Sequence, residues 1–146
     1  VSDDTSESVH LRVFPTVPAS WRDDALASKW GVIRDIRRVV TGALELERAA
    51  KRIGASLQAA PAVYLTPAQM SALNGLDAAE IAITSGVKLM VGEGPAEAFR
   101  LADVAGVAVV PGLAEGHRCE RCWKVLPEVG GKGKPLCRRC DDAVAA

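Results

Sequence analysis

The longest regular pattern runs over residues 23–54, DDALASKWGVIRDIRRVVTGALELERAAKRIG. Apolar side chains recur at Leu26, Trp30, Ile33, Ile36, Val40, Ala43, Leu44, Ala50 and Ile53. Steps of three and four predict one face of a long amphipathic helix. Asp23 and Asp24 suit its N-terminal dipole end, and Lys51 and Arg52 its C-terminal end. Gly54 is the expected C-cap. Gly31 and Gly42 each weaken a helix interior by up to about 1 kcal/mol, and nothing in the sequence explains them. Residues 1–22 read as irregular, because Pro15 and Pro18 disfavour helix just before each.

The pattern changes over residues 57–113. Short apolar runs predict strands at 62–65, 80–84, 88–91 and 104–110, separated by turn signals such as Ser85-Gly86 and Pro111-Gly112. TPAQMSALNGL predicts a short helix with Thr66 as N-cap and Pro67 in the first turn. Strand order is not readable. Residues 114–146 carry little apolar content beyond Val125, Leu126, Val129 and Leu136. So small a unit needs a metal for stability. These readings predict an α+β chain in three parts. Residues 1–56 end a helical domain, 57–113 form a small α/β segment, and 114–146 form a ribbon.

Composition adds little. The chain has 146 residues, 49% hydrophobic and 25% charged, with 18 basic and 18 acidic side chains. Any basic surface must therefore be local. No apolar run reaches the roughly eighteen residues of a membrane span. The polar, acidic start VSDDTSESVH is no secretory signal. A cytoplasmic location with no membrane partner is expected.

All four cysteines fall in CERCWKVLPEVGGKGKPLCRRC, as two Cys-x-x-Cys pairs fourteen residues apart. Two disulfides are the competing reading in a secreted chain. The paired spacing instead predicts one structural zinc ion on Cys119, Cys122, Cys137 and Cys140. Four thiolates fill a tetrahedron, which leaves no open position for hydrolytic chemistry and makes His117 a bystander. Residues 125–135 should form a hairpin-like excursion with Gly130, Gly131 and Gly133 at its tip. Arg118, Arg121, Lys124, Lys132, Lys134, Arg138 and Arg139 oppose Glu120 and Glu128, a local excess of +5. Zinc with four thiolates carries a formal −2, so part of that excess neutralises the metal site. Two readings of Trp123 stand level: packing across the ribbon, or a stacking platform for an unpaired base beside Arg121.

SVHLRVFP, the Trp30/Arg37/Val40 spacing, LELERAAKRIGASLQA, GHRCERCWKVLPEVG and CRRC together resemble the C-terminal region of bacterial isoleucyl-tRNA synthetases. The resemblance spans about Ser8 to Val144. It implies that the long helix ends an anticodon-binding domain, and that a zinc ribbon closes the chain on those four cysteines. It implies isoleucine tRNA and the remainder of a monomeric synthetase as partners. The complete enzymes of that family join isoleucine to its tRNA using ATP. This chain has no HIGH-type or KMSKS-type sequence, no room for a nucleotide-binding fold, and no initial Met. It is expected to be a piece that recognises RNA and carries no catalytic residue. Arg121, Trp123, Lys124 and Arg138 are the candidate RNA contacts. Arg34, Arg37, Arg38, Lys51 and Arg52 on the helix are better read as a solvated face.

Two other functions compete. Formamidopyrimidine-DNA glycosylases end in a similar four-cysteine finger, although the upstream helix and α/β segment are unlike theirs. Alternatively the ribbon is only a structural clamp for the C-terminus.

Overall fold

A computed structural model describes residues 8–130, 133 and 135–145. Its longest element is α1 (Asp24–Ala49), capped by Asp23, whose carboxylate accepts the Leu26 N–H at 2.8 Å. The helix ends before the expected glycine. Lys51 adopts a left-handed φ of 59°. Its N–H donates to Arg48 O and that of Arg52 to Glu47 O, both at 2.9 Å. These paired backward bonds form a Schellman ending with Lys51, not Gly54, in the left-handed position. An Arg52–Glu47 ion pair at 2.6 Å sits where an apolar contact usually closes the motif. Gly54 instead donates its N–H to Gln58 Oε1.

The apolar stripe of α1 is buried only from Ile33 onward. Ile33, Ile36, Val39, Val40, Ala43 and Leu44 enter the core, while Leu26, Trp30 and Ala50 stay exposed. Upstream, Val9, Leu11, Val13, Phe14, Val17 and Trp21 are also exposed.

α1 packs on a three-stranded sheet of order β2-β1-β3, made by β1 (Ala62–Leu65), β2 (Lys88–Val91) and β3 (Val107–Val110). β1 runs parallel to β2 and antiparallel to β3. The parallel pair requires a crossover, supplied by α2 (Pro67–Ala72) and α3 (Ala78–Ala82). α2 begins as expected: Thr66 caps Gln69 N–H, and Gln69 Oε1 accepts the Thr66 N–H at 3.0 Å. The strand expected at 80–84 is instead the end of α3. Asp77 accepts the N–H groups of Ala79 and Glu80, and Ile83 closes the helix at φ 55°. A cap followed by an alanine-rich turn outweighs the single β-branched pair Ile83-Thr84. The strand expected at 104–110 starts only at Val107, because Gly106 turns the chain at φ 74°.

Ile33, Val39, Val63, Leu65 and Val109 are the largest fully buried aliphatic side chains of the core they share. Gly42 now has a reason: a side chain there would meet the Phe99 ring at 2.9 Å. Gly31 has open space beside it, and nothing in the structure explains it. Arg37, still exposed, donates Nε–H to Ile81 O at 2.9 Å, tying α1 to α3.

The C-terminal unit consists of β4 (His117–Arg118), β5 (Val125–Leu126) and α4 (Arg138–Ala145). A two-stranded hairpin closes around the first cysteine pair, since His117 pairs with Leu126 and Arg118 with Val125. Of the excursion expected over residues 125–135, Gly131, Lys132 and Lys134 lie outside the described residues. Among the described residues, no helix is long and apolar enough to cross a membrane.

Candidate metal centre and its exposed flank

Each cysteine pair folds as a tight turn. In the first, Cys119 N–H donates to Lys124 O and Trp123 N–H to Cys119 O, both at 2.9 Å. In the second, the N–H groups of Cys140 and Asp141 donate to Cys137 O at 2.9 Å as α4 begins. Glu120 N–H donates to Pro135 O at 3.0 Å and Cys137 N–H to Cys119 Sγ at 3.3 Å, so the two turns face each other. Val129, Leu126 and Leu136 pack around the sulfurs.

All four cysteines are unbridged. Their sulfurs lie within 4.8 Å of one another, and Cys122 and Cys137 are 3.7 Å apart. Tetrahedral zinc with Zn–S of about 2.3 Å needs sulfurs roughly 3.8 Å apart. A disulfide needs about 2.05 Å. The cluster therefore has the dimensions of a metal site. Burial pushes the Cys119 thiol up, but the N–H groups of Cys122, Cys137 and Arg121 outweigh it and bring it down to about 6. Burial and the neighbouring sulfurs push Cys137 up to about 12. Burial also raises Cys122. One sulfur is thus prepared as a thiolate, while two need a cation to ionise.

His117 is not in the cluster. It lies over Gly130, where a side chain would meet the imidazole at 2.9 Å.

The four candidate RNA contacts part company. Arg121 donates toward Cys140 Sγ at 3.8 Å, so it points into the sulfur cluster. Lys124 is paired with Glu80 at 2.8 Å, and Arg139 shares the same oxygen at 2.7 Å. Trp123 is 60% exposed, and Arg118 lies over its ring, 5.7 Å from the centroid. Arg138 is exposed with no partner among the described residues. Arg38 of α1 pairs with Asp35 and Asp103, and Arg52, just past the helix end, with Glu47.

Sequence reasoning missed three side chains that position this site. Glu80 holds two ribbon cations. Ser85 accepts Val125 N–H at 2.7 Å and donates to Leu57 O. Arg118 covers Trp123. The ribbon's contacts to Glu80 and Ser85 bridge 40 to 59 residues of chain, and no local pattern announces them.

No family model matches the sequence. Curated relatives do. The chain is 56% identical over 126 residues to an isoleucine–tRNA ligase of Brucella abortus. Those residues cover 86% of this chain and 13% of the ligase. The chain is a relative of the isoleucine–tRNA ligases, matched to their C-terminal part. The ligase of Agrobacterium fabrum is 53% identical over 126 residues. That of Rhodopseudomonas palustris is 53% identical over 131 residues, 87% of this chain. The chain spans about 13% of the length of these ligases. The aligned 126 residues far exceed the ribbon, so the relationship includes the helix and the α/β segment.

Proposed function

We propose that this chain is the tRNA-recognition end of an isoleucine–tRNA ligase, in which the ribbon contacts the anticodon side of isoleucine tRNA. The observation that carries the reading is an exposed Trp123 set directly beside a four-sulfur cluster, in a chain 51–56% identical to isoleucine–tRNA ligases. One structural zinc ion on Cys119, Cys122, Cys137 and Cys140 holds the ribbon. The whole enzyme would join isoleucine to tRNA with ATP in the cytoplasm, as a monomer, by residues outside this chain. Residues 1–56 would finish its helical anticodon-binding domain. The exposed apolar side chains from Val9 to Trp30 support the remainder of the polypeptide as their partner, since such a run is costly to leave in water. Trp123 and Arg138 are the contacts best placed for RNA. Lys124 and Arg121 would act mainly through Glu80 and the metal site.

The direct test is binding of the zinc-loaded chain to isoleucine tRNA at several salt concentrations. Saturable binding weakened by salt and by Trp123→Ala is expected. Equal affinity for abasic duplex DNA would instead favour the glycosylase reading. A purely structural clamp has its own support, because Glu80 and Ser85 fasten the ribbon to the α/β segment. In that case ribbon surface substitutions leave tRNA binding unchanged.

A further inference from the structure

Trp123 occupies a position that its own packing does not justify. Its φ is +68°, in the left-handed region that bulky side chains avoid. The metal-binding turn dictates that conformation through the Trp123 N–H to Cys119 O bond. A glycine or asparagine would fit the turn with less strain. The ring contributes little to the ribbon core of Cys119, Val129, Cys137 and Cys140, because it is 60% exposed. Strain at an exposed aromatic directs attention to what the ring faces.

One face is accounted for. The Arg118 guanidinium sits 5.7 Å from the ring centroid, inside the roughly 6 Å range of cation–π attraction. Arg118 projects from β4, whose register with β5 is fixed by the Arg118–Val125 pair. The neighbouring cations are engaged elsewhere: Arg121 at Cys140 Sγ, and Lys124 and Arg139 at Glu80. Arg118 has no acidic partner among the described residues. The indole is therefore held from one side before any ligand arrives.

We propose that Arg118 is a positioning residue for Trp123, fixing the indole by one face so that the opposite face seats a single unpaired RNA base. The proposal rests on the RNA-binding reading above. Holding the ring in advance removes an ordering cost from binding. Stacking on a π-face tolerates any base, so this seat adds affinity without choosing a sequence.

The experiment uses the full 146-residue chain loaded with zinc. Trp21→Phe and Trp30→Phe leave Trp123 as the single indole. Isoleucine tRNA and a short single-stranded RNA are the probes. Both should quench Trp123 fluorescence. Trp123→Ala should weaken tRNA binding by roughly tenfold or more. Arg118→Gln should weaken it by about three- to fivefold and lower the Trp123 fluorescence anisotropy of the free protein. Arg118→Lys should restore part of both, and zinc content should match the parent throughout. In the double variant, Arg118→Gln should add nothing to Trp123→Ala.

Full additivity in that cycle would mean that Arg118 binds phosphate independently, which overturns the pairing and leaves the RNA reading intact. Unchanged tRNA affinity in Trp123→Ala sinks both. Weakened binding without any quench would mean that no base stacks on the ring, and the seat proposed here is wrong.

Discussion

The Lys124 ammonium donates to Glu80 Oε1 at 2.8 Å, joining the turn of the first cysteine pair to helix α3. Arg139 reaches the same oxygen from the far side of the cluster at 2.7 Å. One carboxylate thus holds both halves of the ribbon. The Lys124 hydrogen bond, and then its charge, hold the Glu80 carboxyl below its ordinary range, with Arg139 adding to the effect. A depressed carboxylate contributes stability that is complete above its unfolded value, near 4.3, and is lost as pH falls through the folded value. Glu80 is 47% exposed, so the contribution stays within about 1 kcal/mol. The stability difference between the parent and Glu80→Gln should be constant from about pH 7 to 5 and shrink below about pH 4. Urea titrations at each pH measure it; a difference that grows on acidification contradicts the pairing.

Ser85→Ala should cost more than its size suggests. Its buried hydroxyl serves Val125 N–H and Leu57 O together. Removal leaves both without this partner, at a cost of about 1–3 kcal/mol. Hydrogen exchange at the Val125 amide should accelerate, while amides in α1 keep their protection.

At Trp123 the smaller residue should be the better tolerated. Trp123→Ala keeps a Cβ in the left-handed region, whereas Trp123→Gly relieves it. The relief is about 1–2 kcal/mol, and the extra chain entropy of glycine takes back about 0.5–1. The glycine variant should therefore be more stable than the alanine variant by about 0.5–1 kcal/mol in chemical unfolding. Equal stability would show that the turn carries no strain.

Zinc loading should release protons. Cys119, at about 6, is largely ionised at pH 7, whereas Cys137, at about 12, and the raised Cys122 must give theirs up. Calorimetry of zinc binding in buffers of different ionisation enthalpy counts them. At least about two protons per ion are expected near pH 7, with affinity falling as pH is lowered. Release of none would require the cluster to be ionised already.

Chelation of the ion should unfold the ribbon and leave the α/β segment folded. The sulfurs and Val129 form a core of their own, separate from the one that α1 shares with the sheet. Amide exchange should rise over residues 117–145, and the protection of β1 and β3 should persist. Cooperative loss of both would contradict two separate cores.

Much of this protein is legible along the chain because its signals are local. Steps of three and four marked α1, Thr66 and Pro67 marked the start of α2, and two Cys-x-x-Cys pairs marked the metal cluster. Each depends on residues a few positions apart, where helix pitch or turn geometry acts directly. Local signals also misled. Residues 80–84 resembled a strand until the Asp77 cap decided otherwise, and Gly54 looked like a C-cap that Lys51 supplies. Only the tertiary structure decided the sheet order, the meeting of Glu80 with Lys124 and Arg139, and the placing of Arg118 on Trp123. Sheet order and the Glu80 contacts join residues far apart in sequence. The Arg118–Trp123 contact is short in sequence, but it depends on a turn that reverses the chain and sets a ring at an angle no spacing rule gives. Periodicity records which face of an element is apolar, while partner choice is fixed only when those faces pack against each other.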